Sequence, residues 1–317
     1  MRAVVQDRYG SPEVLRVGEI AQPVAGGNEV LVKVKAAGVD QGTWHLMAGE
    51  PKIVRLWIGL RAPRVRVSGR DVAGVVEAVG PGVTDFEVGD EVYGTCRSGS
   101  FAEYAVGRVD KLTRKPANLS FEQAAAVPVS GGTALQGTRG IRAGERVLVL
   151  GAAGGVGSYA VQLAKAAGAH VTGVCSTPKL DLVRELGADE ALDYTRDELP
   201  AAAYDFILDT GGNRSLAILR RALKPKGRLV IIGSETSGLL GGMSRTLWAG
   251  LLSLFVGQQL KGLISSERAA DYVELRDLIE AGQVKPAIDR TYTLDEAAEA
   301  IHHLRDGHPR GKLVITI

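Results

Sequence analysis

Apolar and polar positions along residues 146–167, RVLVLGAAGGVGSYAVQLAKAA, change period in the middle. The continuous apolar run 147–150 predicts a buried strand. Val156, Ala160, Val161, Leu163, Ala164 and Ala167, at i, i+3 and i+4 spacing, predict an amphipathic helix. Gly151, Gly154, Gly155 and Gly157 cluster at the junction of the two patterns. Upstream, residues 3–6, 14–20 and 30–36 are β-rich, and 30–35 alternates apolar with polar. Residues 72–79, 91–93 and 100–106 continue that texture, with Gly-, Pro- and Asn-rich turns between the runs. Residues 1–115 therefore read as a mostly antiparallel, barrel-like domain.

Beyond Asn118 the pattern becomes alternately helical and extended. Ser120 with Gln123 predicts a capping box at the head of an alanine-rich helix. After residue 146, strands are expected at 170–176, 191–194, 204–209 and 228–232, with helices at 179–186 and about 216–223. Strands alternating with helices predict an α/β, doubly wound parallel sheet. Residues 236–265, apolar, glycine-interrupted and arginine-containing, leave three readings open: a variable insertion with two small helices, a lid, or an apolar face for a partner. Helices at 271–281 and 295–304 and strands at 287–292 and 313–317 complete the chain.

Composition narrows the class. The chain has 317 residues, 45% of them hydrophobic and 23% charged, with a formal net charge of +2. Such a balance has no nucleic-acid footprint. Two cysteines, Cys96 and Cys175, cannot build a disulfide framework and suit a reducing compartment. The start, MRAVVQDRYG, lacks a signal pattern, and the apolar segment 247–256 is short of a membrane span. The expected location is cytoplasmic.

A strand, a glycine turn and a helix in succession form a site for a pyrophosphate. Glycine lets the backbone approach closely, and the helix start offers unpaired N–H groups and a positive dipole end. Gly154, Gly155 and Val156 are the expected contacts, with Gly233 after the fifth strand. The second strand ends Cys175-Ser176-Thr177-Pro178-Lys179. A carboxylate at that end would accept from a ribose 2′-hydroxyl and favour NADH. Ser176 and Lys179 instead donate to a 2′-phosphate, so NADPH is the expected cofactor.

Together these features resemble the medium-chain dehydrogenase/reductase superfamily, and within it the zinc-independent quinone oxidoreductase branch, including reticulon-4-interacting-protein-like reductases. The carriers are AAGVD (36–40), GRDVAGVVEAVG (69–80), VGDEVYG (88–94), LSFEQAAAVPVSGGTA (119–134), the glycine turn, KGRLVIIG (226–233) and RGKLVITI (310–317). The resemblance implies a GroES-like substrate-side domain at 1–115, completed by 290–317, around a Rossmann-type NADPH-binding domain at 116–289. It also implies Thr133 near the cofactor, Tyr194 beside the 2′-phosphate, and a homodimer. One departure lies in the turn itself. If Gly154 to Gly157 match the end of the dinucleotide fingerprint, its first glycine is replaced by Ala152.

The superfamily's alcohol dehydrogenases hold zinc through a Cys, a GHE histidine and a later Cys. The matching positions here are Asp40, Arg70 and the region of Ser130, and arginine offers no lone pair to a metal. No metal is expected; an Asp40–Arg70 ion pair is expected in its place. The loop 40–45 supplies the other candidates, Trp44 as packing or an apolar wall and His45 as a hydrogen-bond or proton donor. The expected catalytic set is Asp40, His45 and Arg70. The expected function is NADPH-dependent hydride transfer to a small-molecule quinone or α,β-unsaturated carbonyl. The alternatives are an alcohol or carbonyl oxidoreductase and an NADPH-binding interaction protein without turnover.

Overall fold

The computed structural model describes residues 1–212, 214–232, 243–306 and 308–317, and every statement below concerns those residues. They form two compact units, one comprising 1–132, 267–282 and 286–317, the other 133–266 and 283–285.

The first part of the chain contributes strands β1 (Arg2–Val5), β2 (Arg16–Glu19) and β3 (Glu29–Val39), then helices α1 (Gln41–Ala48) and α2 (Arg55–Ile58). Strands β4 (Asp71–Val79), β5 (Glu91–Thr95), β6 (Tyr104–Arg108) and β7 (Leu112–Arg114) follow, with helices α3 (Phe121–Ala125) and α4 (Pro128–Thr138). β3 is the spine of this unit, pairing antiparallel with both β4 and β6. Its alternation explains why: Val30, Val32 and Val34 are buried while Lys33 and Lys35 face out. Those valines join Val72, Val76, Val92 and Leu112 in one core. Each such side chain contributes about 1.5–3 kcal/mol on burial.

The other unit begins with β8 (Arg146–Leu150), α5 (Gly155–Ala166), β9 (His170–Cys175), α6 (Leu180–Glu185) and β10 (Glu190–Asp193). It continues through β11 (Tyr204–Asp209), α7 (Leu216–Ala222), β12 (Leu223–Ile232), α8 (Met243–Ser253) and β13 (Gln259–Leu263). The sheet order is β10-β9-β8-β11-β12-β13, with every pairing parallel. Chain order reverses between β8 and β11, which is where an open α/β sheet has its ligand crevice. The chain ends with α9 (Ala269–Glu280), β14 (Ile288–Thr293), α10 (Ala297–Asp306) and β15 (Lys312–Thr316). β15 carries β14 onto β3 and extends the first unit's sheet.

Three expectations shift. Residues 40–45 are not a loop: α1 starts at Gln41, because the Asp40 carboxylate accepts from Thr43 N at 2.8 Å and caps the helix. The described part of 236–265 holds one helix and a sixth parallel strand rather than two small helices. Edge position hides β13 from sequence patterning, since only Leu260 is fully buried while Gln259 and Lys261 face solvent. Finally, residues 116–132, 267–282 and 286–289 fall in the first unit, whereas the resemblance implied the nucleotide-binding domain for them. α3 packs on β3 and β4, and α9 on β7.

Candidate active-site elements

The glycine turn builds a cradle from its backbone. Gly151 has φ +73, a left-handed conformation that disfavours any side chain. Ala152 remains in sheet register, its N–H donating to Val174 O at 3.0 Å, and its methyl faces Gly173 of β9. The displaced first glycine thus has a physical reason: the turn is taken at Gly151, and Ala152 fills space left by Gly173. A Cβ on Gly157 would collide with the Gly151 carbonyl, so only glycine lets α5 start this close to β8. Gly154 caps α5 without a side-chain hydrogen bond. The first-turn N–H groups of Gly155, Val156 and Gly157 have no intrahelical acceptor and remain for an anion.

At the ends of β9 and β10 the register pairs Cys175 with Asp193, and Tyr194 N donates to Cys175 O at 3.1 Å. Ser176, Lys179 and Tyr194 therefore share one edge of the sheet, with Tyr194 54% exposed. The sequence reading passed over Asp193, a buried carboxylate at this edge. It accepts from the Thr177 hydroxyl and from the N–H and hydroxyl of Thr195, which hold its pKa below the ordinary value. Its acceptor capacity is thereby used, and so is Thr177's donor. Thr133 is buried and its hydroxyl donates to Ser265 Oγ at 2.9 Å. Gly233 lies outside the described residues.

In the other unit, the expected Asp40–Arg70 pair is not formed. Arg70 instead pairs with Glu267, whose backbone carbonyl accepts from Lys111 Nζ at 2.5 Å. Asp40 is committed to capping, with Oδ1 on Thr43 N and Oδ2 buried without a hydrogen-bond partner. Burial opposes the Arg70 charge, but Glu267, Asp40 and Asp71 outweigh it and raise its pKa. Glu267 is a partner no local pattern indicates, being 197 positions away in the chain.

Asp71, beside Arg70 in sequence, is fully buried with Lys312, their charged atoms 3.3 Å apart. It also accepts from Val129 N at 2.9 Å, tying β4 to the start of α4 and to β15. Burial pushes its pKa up to about 7, against the pull of Lys312. His45 Nδ1 lies 3.0 Å from Glu50 O. A carbonyl only accepts, so Nδ1 carries the hydrogen and the neutral ring presents Nε2 as an acceptor. Burial lowers the His45 pKa, which favours that neutral form. Trp44 packs against the core of Val39, Met47 and Leu313, with the Arg305 guanidinium 3.9 Å from its ring centroid. Burial pushes the Cys96 thiol up to about 12 and the Cys175 thiol up to about 11, leaving both protonated and unreactive at neutral pH. Among the described residues no group of three or more His, Cys, Asp or Glu side chains gathers as a metal site.

Comparison with known proteins places both regions. Residues 26–117 match the alcohol dehydrogenase GroES-like domain family, and residues 186–315 the zinc-binding dehydrogenase family. The chain is 33% identical to "NAD(P)H oxidoreductase RTN4IP1, mitochondrial" of Mus musculus, covering 100% of this chain and 89% of the relative. It is 34% identical to the 2-methylene-furan-3-one reductase of Solanum lycopersicum, covering 99% and 79% respectively. The solved quinone oxidoreductase of Coxiella burnetii superposes with a TM-score of 0.85 at 28% identity, covering 100% of this chain and 99% of that one.

Proposed function

The chain belongs to the medium-chain dehydrogenase/reductase superfamily, and from that premise we propose an NADPH-dependent, zinc-free reductase of quinones or carbonyl-conjugated alkenes. The observation that carries the reading is Arg70. By sequence match it takes the position of the histidine ligand of the superfamily's alcohol dehydrogenases, and a guanidinium, here paired with Glu267, cannot bind zinc. The relatives named for quinones, furanones and alkenals point to the same substrate class.

The glycine turn fits a dinucleotide: Gly157 lets α5 start hard against the Gly151 carbonyl, and no side chain caps α5, which leaves its first N–H groups for a pyrophosphate. Gly155, Val156 and Gly157 would hold the pyrophosphate, and Ser176, Lys179 and Tyr194 the adenosine end. When bound, NADPH supplies the hydride. What the chain adds is stabilisation of negative charge on the acceptor's oxygen. Quinones and enones delocalise that charge, so hydrogen-bond donors suffice where simple ketones demand a stronger electrophile. Arg70, kept charged by Glu267, is the donor assigned to that oxygen. Asp40 orients α1 by capping it and so positions Trp44 and His45. His45, neutral and donating through Nδ1 to Glu50 O, has no proton to give at Nε2, so water supplies the proton that the reduced acceptor takes up.

A second reading, an alcohol or carbonyl oxidoreductase, has support from a solved NAD-dependent alcohol dehydrogenase that is 32% identical with a TM-score of 0.86. Following NADPH and NADH oxidation over a panel of quinones, enones, aldehydes and ketones separates the two. The proposal expects NADPH loss with quinones or enones, unaffected by chelators. Turnover confined to simple carbonyls, or lost on chelation, would replace it with the second reading. Both described cysteines are free thiols, which suits the reducing cytoplasm. No described helix is long and apolar enough to cross a membrane. A homodimer belongs to the same proposal, with the exposed Leu247, Trp248, Leu251, Leu254 and Phe255 as its contact surface.

A further inference from the structure

We propose that Arg214 is a specificity-determining residue that takes the 2′-phosphate of the cofactor, a role that rests on the NADPH reading above. Sheet order sets the distance to be spanned. β8 and β9 lie between β10 and β11, so the ends of β10 and β11 are about 14 Å apart at the usual strand spacing. Arg214 follows β11, yet its Nη2 donates to Tyr194 O, just beyond β10, at 3.1 Å. The guanidinium therefore reaches back over the carboxyl ends of β8 and β9. In an open α/β sheet that edge is where the adenosine half of a dinucleotide lies.

The backbone of Arg214 is fixed on its carboxyl side. Its carbonyl accepts from Arg245 Nη2 at 2.7 Å, and Arg245 is itself held 2.6 Å from the buried Asp209 carboxylate at the end of β11. The next residue, Ser215, caps α7 through its side chain. Anchoring of this kind aims the side chain without consuming its charge. The Tyr194 carbonyl takes one of five N–H donors, and among the described residues no carboxylate pairs with the guanidinium. Asp193, the buried acid at this edge, is occupied by Thr177 and Thr195. A phosphate arriving beside Tyr194 meets an arginine fork suited to bidentate binding.

The test uses the full chain and two probes that differ only by the 2′-phosphate, adenosine 2′,5′-bisphosphate and adenosine 5′-monophosphate, titrated by calorimetry. Wild type is expected to bind the bisphosphate at least about tenfold tighter, the scale of one charge-assisted hydrogen bond. Arg214→Met should cut that ratio about tenfold or more while leaving monophosphate affinity within about twofold. Arg214→Lys should restore part of the ratio, and unchanged melting temperatures would exclude misfolding. A wild-type ratio near one overturns the NADPH reading itself. A high wild-type ratio that survives Arg214→Met overturns only the role of Arg214, as does equal weakening of both probes.

Discussion

Lys312 shows how one residue can hold several elements. Its ammonium and the Asp71 carboxylate are both sealed from water, joining β15, β4 and the start of α4. Removing one partner of such a pair leaves an uncompensated buried charge, a loss of about 3–5 kcal/mol. Lys312→Met should therefore lower stability by about that much above pH 8, measured by urea unfolding. The loss should shrink near pH 5. Asp71, already raised by burial, then takes a proton and no longer needs its partner. His45 has the opposite sign. Its folded pKa lies below the ordinary value, so as pH falls through about 6.5 the unfolded chain takes up a proton that the folded chain refuses. Its contribution is complete above pH 7 and lost below about 6.5. Melting temperatures between pH 8 and 5 should fall more steeply for wild type than for His45→Gln.

Elements were legible from sequence wherever local chemistry decides them. The Ser120–Gln123 capping box forms, with Ser120 N donating to Gln123 Oε1 at 3.0 Å, because both partners lie within one turn. The strand–glycine–helix unit at Gly151 also follows from its own residues. α1 was hidden because Gly42, Thr43 and Trp44 are poor helix formers, leaving the cap at Asp40 as the main local signal. Glu267 was beyond reach because its partnership with Arg70 is made by tertiary packing alone. α8 presents a question of its own. Leu247, Trp248 and Leu251 are 60%, 67% and 53% exposed on a helix that packs on the edge strand β13. Covering them with a second copy predicts that Trp248→Glu with Leu251→Glu shifts the protein from dimer to monomer in sedimentation equilibrium. A wild-type protein that is already monomeric would reject that role for α8.

For the whole molecule, one unit supplies a phosphate cradle and the other a buried, charged cluster with no assembled metal-ligand set among the described residues. The proposed reduction of an activated alkene rests on the cradle for the cofactor and on Arg70, a residue that cannot ligate a metal. The claim is most directly tested by where the hydride lands. NADPH carrying deuterium at the transferred position of its nicotinamide is supplied with an open-chain enone, and the product is read by NMR. Deuterium on the β-carbon of a saturated ketone is the predicted result; deuterium on the carbonyl carbon of an allylic alcohol would contradict the account.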